Sequence, residues 1–396
     1  MKSVPKTKNI TTIMKNKLLV FIIGLLPLSL VTTGQPLYFP DTAWQTKTPQ
    51  QLGMNKQQLD SAVAFALNNE NKVERDLRIA NHKAYAREPG YAIIGPMKER
   101  GGPAGLIIKN GFIVAQWGDI NRVDMTFSAT KSFLSTVAGL AVDDGLIKNV
   151  QDPVNKYVWD DAFKADHNSK ITWEHLLNQS SDWSGTLFGL HDWADRPPGE
   201  GSMDDWKNRK LLQPGTSFEY NDVRVNLLAY SLLQVYRKPL PMVLKEKIMD
   251  PIGTSATWRW YGYEGSFVNM DGIMMQSVSG GGHHGGGIFI NTTDMARFGL
   301  LFLRNGKWKN KQLLSDKWIA EAHRPSVPNK DYGYMWWINS SKKWTDVSSN
   351  IYFAAGFGGN YIVVDNEHDM VVVTRWMDDS KMNELMKRII QSIDKK

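Results

Sequence analysis

The sequence predicts an α/β (α+β) fold: one antiparallel sheet flanked by helices, with an inserted and mostly helical subdomain. Three observations carry this reading. β-rich segments occur in two pairs near opposite ends of the chain, Ala104 to Lys109 with Phe112 to Trp117, and Tyr361 to Val364 with Met370 to Trp376. Between the pairs, roughly residues 130–330 read as helices and loops rich in Trp and Gly. Helical patterns also bracket the strand blocks on their outer sides. Strands at both ends with helices between them are accommodated when the ends pair into a single sheet.

The elements follow in order. Residues 1–34 have the layout of an export signal: a basic stretch Met14-Lys15-Asn16-Lys17, an apolar run Leu18 to Leu30, and small residues ending at Gly34. The 13-residue run is short for a membrane span, which needs roughly 20 residues, so cleavage near Gly34 is expected. An uncleaved anchor in the cytoplasmic membrane is the alternative. From Pro40 to about residue 394 no linker or internal repeat interrupts the chain, and a single domain is expected, with the helical insert at about residues 146–284. Leu59, Val63 and Leu67 recur at helical spacing and predict an N-terminal helix. Asn110-Gly111 between two β-rich runs is a two-residue hairpin signal. A further helix opens near Ser128, with the apolar stripe Phe133, Leu134, Val137, Leu140 and Ala141 and a stop at Asp143-Asp144-Gly145. The polar turn Asp365 to Asp369 separates the last two strands, and an amphipathic helix runs from about Lys381 to Ile393.

Charge excludes one class of partner. The formal net charge is +7, but five lysines lie in the leader with no acid beside them, leaving 42 basic against 40 acidic residues, or +2. No basic surplus remains to follow a phosphate backbone, so nucleic acid is not an expected partner. There is no cysteine, hence neither a disulfide framework nor a lipidated cysteine.

Four Ser-x-x-Lys tetrads start at Ser3, Ser128, Ser340 and Ser392. Ser3 is in the leader, Ser340 in a polar run, and Ser392 in the last residues of the chain. Only Ser128 is followed by a buried-type helical stripe. There the hydroxyl and the Lys131 amine stand one turn apart on one face, where an amine can take the serine's proton and make it an acyl-transfer nucleophile.

The order of segments around Ser128-Ala129-Thr130-Lys131 resembles the β-lactamase-related serine hydrolases, which include class C β-lactamases, penicillin-binding proteins and D-alanyl-D-alanine peptidases, esterases and aminohexanoate-oligomer hydrolases. Asp143-Asp144-Gly145-Leu146-Ile147 with Asp152-Pro153-Val154, the run Ile171 to Ser181, the run Pro214 to Asp222, and Gly285-Gly286-Gly287-Ile288 through Thr293 to Gly299 each look like a family segment. The resemblance implies a β-lactamase/transpeptidase-like fold, Ser128 as nucleophile, and Tyr220 facing the Ser–Lys pair and sharing a proton with Lys131. It also implies an oxyanion hole from the N–H of Ser128 and one from a strand beginning near Gly356-Phe357. Two departures stand out. The triplet that carries Lys or His in relatives reads Ala354-Ala355-Gly356, with Arg375 on the neighbouring strand as a possible substitute cation. A carboxylate, Asp222, replaces the usual amide of the Tyr-x-Asn motif and is expected to repel an anionic substrate.

The glycine-rich run Ser279 to Gly287 lacks the Lys-Ser/Thr ending of a phosphate loop. Its adjacent His283 and His284 point apart in an extended chain, so no metal is expected, and a flexed turn with one histidine lining the pocket fits better. Asp222, His283, Trp337 and Gly356 are the expected pocket residues. The expected protein is an exported, periplasmic or extracellular serine hydrolase that cleaves a small-molecule or peptide-like ester or amide without a cofactor and is a poor β-lactamase. The alternatives are a wall-peptide or ligand receptor on the same fold, without turnover or turning over slowly, or a D-alanyl-D-alanine peptidase or β-lactamase.

Overall fold

Six antiparallel strands make the central sheet, in the order Trp337–Ile338, Tyr352–Gly356, Asn360–Asp365, Met370–Arg375, Ala104–Lys109, Phe112–Trp117. This is a computed structural model, which describes residues 37–394; the export leader expected at 1–34 lies outside them. Ala104 sits opposite Arg375 and Lys109 opposite Met370, so the two strand blocks join in the middle of the sheet, as their pattern predicts. Asn110 and Gly111 turn the first hairpin with φ of 52° and 86°, the left-handed pair that a two-residue turn requires.

Successive residues of these strands feed two different cores. Leu106, Ile108, Ile362, Val364, Val371 and Val373 pack towards the helices Thr130–Asp143 and Thr292–Leu303. Ile107, Val363 and Val372 pack on the other face with the helices Lys56–Asn68 and Met382–Gln391. A strand covered on both faces reads as a near-continuous apolar run, as Met370 to Val373 does in the fully buried strand Met370–Arg375.

The insert departs from its expected helical character. It does hold the helices Trp173–Leu177, Met203–Lys207, Asp222–Tyr236 and Leu240–Leu244. It also contains a long hairpin, Arg259–Met270 with Ile273–Val278, which joins Gly287–Ile290 and Asp124–Met125 in a second, four-stranded sheet. A register shift between Gly262 and Phe267 interrupts the hairpin. The inside–outside alternation breaks there, and with it the period-two signal by which a strand is recognised. Among the described residues no helix is long and apolar enough to cross a membrane.

Candidate active site

Ser128 lies in a single 3-10 turn, Phe127–Ala129, that leads into the helix Thr130–Asp143. Phe127 before it has φ 48°, an uncommon conformation for a bulky residue, which the surroundings must hold in place. Thr126 and Thr130 do this. The Thr126 N–H and hydroxyl both donate to the Ile288 carbonyl, and the Thr130 hydroxyl accepts the Ile288 N–H at 3.0 Å. On the opposite side, the strand Tyr352–Gly356 ends against the same turn. A Cβ at Gly356 would collide with the Thr126 carbonyl oxygen, so glycine permits this approach.

Lys131 is buried, and its Nζ lies 2.9 Å from Ser128 Oγ. Its second partner is Asp222, the first residue of the helix Asp222–Tyr236, where the helix dipole also favours a carboxylate. Arg196 Nη2 donates to the other Asp222 oxygen at 2.8 Å, and Nη1 donates to Asp195 at 2.6 Å. Asp195 in turn accepts the N–H groups of Asp222 and Val223. Burial alone would push Asp222 up, but the charges of Lys131 and Arg196 more than offset this and hold its carboxyl well below the usual carboxylate range. Burial has the opposite outcome at Asp195, whose affinity for a proton is raised.

His283 extends the network. Burial first, then the Arg196 charge, bring its pKa down to about 4, so the ring is neutral near pH 7. Arg196 can only donate, which makes Nδ1 the acceptor of its 2.9 Å contact and leaves Nε2–H to donate to Glu88 at 2.6 Å. Glu88, Asp195 and His283 converge closely enough to hold an ion. The Arg196 guanidinium, bonded to both Asp195 and His283, already brings a cation there.

Tyr220 meets this array through its ring: the Lys131 Nζ lies 4.6 Å from the ring centroid and the Arg196 guanidinium 5.2 Å. Trp337 stacks on Tyr220 at 5.8 Å, and Phe218 and Tyr332 complete an aromatic wall beside Ser128 and Lys131. Phe357 packs edge-on against Phe127 at 5.2 Å, and Gly356 before it lies against the backbone of Thr126 and Ala129 on either side of Ser128.

The matched span includes every one of these elements except Glu88: the family description Beta-lactamase covers residues 106–388. The chain belongs to the Beta-lactamase family. A Salmonella paratyphi B protein called "Putative D-alanyl-D-alanine carboxypeptidase" is 23% identical over 204 residues, 41% of this chain and 45% of its own length. The chain therefore spans less than half the length of the curated relatives it matches. A penicillin-binding protein homologue from Caulobacter crescentus superposes with a TM-score of 0.56 at 13% identity, covering 86% of this chain and 99% of that one. A family VIII carboxylesterase gives a TM-score of 0.55 at 16% identity, covering 85% and 97%. At such identities the likeness is one of fold.

Within this Beta-lactamase-family chain, the structure brings Ser128, Lys131, Tyr220, Asp222 and Gly356 together, with Trp337 on the wall. Four expectations are corrected. His283 is fully buried, a member of the charge network and not a pocket lining. Asp222 is neutralised from both sides by Lys131 and Arg196, so it presents no repelling charge to a substrate. The segment at Gly356-Phe357 ends a strand instead of beginning one, because Gly358 and Gly359, both at φ 81°, turn the chain back. Arg375 supplies no substitute cation. It is buried against Met125 and Met295, and burial lowers its pKa to about 10. Sequence reasoning missed Glu88, Tyr85, Asp195 and Arg196. Arg196 reaches partners 26 and 87 residues away, and no local spacing announces such contacts.

Proposed function

We propose that this chain is an exported serine hydrolase that cleaves uncharged esters or amides through an acyl-enzyme on Ser128. The observation that carries the proposal is the 2.9 Å contact of Lys131 Nζ with Ser128 Oγ, inside an array whose other charges are already paired. Ser128 Oγ attacks the carbonyl carbon while its proton passes to Lys131 in the amine form. Backbone N–H groups of Ser128 and Phe357 are the proposed donors to the oxyanion. The proton then goes to the leaving oxygen or nitrogen, with Tyr220 the proposed relay. Water repeats the sequence to release the acid and free Ser128.

Preference for neutral substrates follows from the cations. Relatives of the resembling pattern place Lys or His where Ala354-Ala355-Gly356 stands; here Arg375 is buried, and Arg196 is held by Asp195, Asp222 and His283. A charge-assisted hydrogen bond is worth about 1.5–3 kcal/mol, so a substrate carboxylate should lose roughly ten- to 150-fold in kcat/KM. The aromatic wall of Tyr220, Trp337 and Phe218 favours an apolar group beside the scissile bond. The basic and apolar pattern of residues 1–34 supports export.

The test is covalent labelling by a fluorophosphonate, followed by kcat/KM for a nitrophenyl ester and a chromogenic cephalosporin. Labelling of Ser128 and faster turnover of the ester are expected. Cephalosporin hydrolysis at β-lactamase-like rates would overturn the substrate preference. Acylation by esters without release would favour the receptor reading.

A further inference from the structure

Asp222 and Arg196 have no part in the chemistry just described, yet Asp222 is bonded to Lys131 and Arg196 to the other oxygen of the same carboxylate. We propose that they are positioning residues which act through Lys131 and together set the pH at which Ser128 becomes a nucleophile. The proposal rests on the Ser128 acyl-enzyme reading.

The argument begins with what each group can do in a hydrogen bond. Ionised Asp222 only accepts and Arg196 only donates. Lys131 must therefore give one N–H to Asp222 whatever its own proton count. As an ammonium it has a further N–H aimed at Ser128 Oγ, and the hydroxyl then has no acceptor for its proton. As an amine it turns a lone pair to Ser128, and the serine can be activated. Asp222 keeps the nitrogen on Ser128, and its negative charge favours the unreactive ammonium. Arg196 opposes that second effect twice over, by drawing on the same carboxylate at 2.8 Å and by repelling a second positive charge nearby. A neutral amide at position 222 would need no such counterweight.

Burial favours the neutral forms of His283, His284, Tyr85, Tyr263 and Tyr332, which face the array. His283 titrates near 4, and burial also lowers His284. Tyr85, against Arg196, is raised by burial to about 12, and burial raises Tyr263 and Tyr332 as well. Asp195 is tied to Arg196 and to two backbone N–H groups, and Glu88 is tied to His283. Tyr220 offers Lys131 its ring face. Gly281 lies directly against the array, and any Cβ there would collide with both Asp222 and Lys131. Solvent thus has little room to replace either partner of Lys131.

The experiment measures the second-order rate of Ser128 labelling by an uncharged fluorophosphonate against pH, on the full chain and on three variants. Removing an opposite charge at contact distance shifts a titration by about one to three units. Asp222→Asn is expected to move the rising limb that much lower, with a reduced plateau because Lys131 is less well held. Arg196→Gln is expected to move the limb higher by about half a unit or more, while Arg196→Lys, which keeps a cation, stays near the native profile. Limbs that stay put, or that move the same way in Asp222→Asn and Arg196→Gln, would overturn the proposal, since a merely structural role gives no opposed shifts. If Asp222→Asn does not fold, Arg196→Gln decides alone, and an unmoved limb there is equally fatal. Failure of the native chain to label at any pH would overturn the acyl-enzyme reading and this proposal with it. Labelling with unmoved limbs would overturn only this one.

Discussion

Replacing Gly281 by alanine asks whether the Lys131–Asp222 pair is as tightly enclosed as it looks. The backbone at 281 is outside the left-handed region, so alanine meets no conformational objection, and the whole effect is steric. The new Cβ would collide with Asp222 Oδ1 and Lys131 Nζ. Asp222 is short, about 1% exposed at its side chain, and gripped from its far side by Arg196. Lys131 has the longer chain and must retreat. Separating a buried ion pair costs about 3–5 kcal/mol, and the low end applies here because Asp222 keeps Arg196. Retreat also takes Nζ off Ser128, and losing a positioned base costs at least about a hundredfold in rate. Denaturant unfolding and fluorophosphonate labelling read the two effects separately. Gly265→Ala, which meets no atom within 4 Å, is the control. A Gly281→Ala protein whose unfolding free energy lies within about 0.5 kcal/mol of native, labelling at the native rate, would refute the enclosure.

Other outcomes follow from the same geometry. Ser128→Ala should abolish labelling at a stability cost of about 1 kcal/mol or less, since its side chain has Lys131 as hydrogen-bond partner; retained turnover in the pure variant would remove Ser128 from the mechanism. Tyr220→Phe keeps the ring contact and removes only the hydroxyl, so a fall in kcat of about a hundredfold is expected if that hydroxyl relays the proton, and an unchanged kcat would confine Tyr220 to the wall. Stability should decline as pH falls from about 6.5 towards 4. His283 is held neutral in the fold and takes up a proton more readily when unfolded, a contribution of up to about 3 kcal/mol that is complete above pH 6.5. Burial of His175, His284 and His323 acts in the same direction, so His283→Gln should flatten the pH slope without abolishing it, and an identical slope would contradict the buried neutral ring.

Where a signal is local, the sequence was readable. Asn110-Gly111 declared its hairpin because the left-handed turn needs those residues, and the stripe Phe133 to Ala141 declared the helix behind Ser128, whose stripe residues are all buried. The Ser128–Lys131 pair was legible because a helical turn fixes its geometry. The hairpin Arg259–Met270 was not, because its bulge erases the alternation that marks a strand. The charge network was hidden for a different reason. Asp195 and Arg196 look like any charged dipeptide in a loop, and only the fold brings them against Asp222 and His283. Asp222 itself was noticed as a departure, but its sign was misjudged, because a carboxylate's effect on a substrate depends on neighbours that sequence does not list.

The join between Ala104–Lys109 and Met370–Arg375 has a consequence for the order of assembly. These central strands lie some 265 residues apart in the chain, and each is buried on both faces. Closing so long a loop is entropically expensive and must precede the contacts that reward it. Until Met370–Arg375 has been synthesised, Ala104–Lys109 has one neighbour, Phe112–Trp117, and an open edge, so the sheet cannot be completed during most of translation. A chain that stays unfinished until its last strand arrives remains threadable for most of its synthesis. Its exposed apolar edge is meanwhile a surface for a holding chaperone to cover.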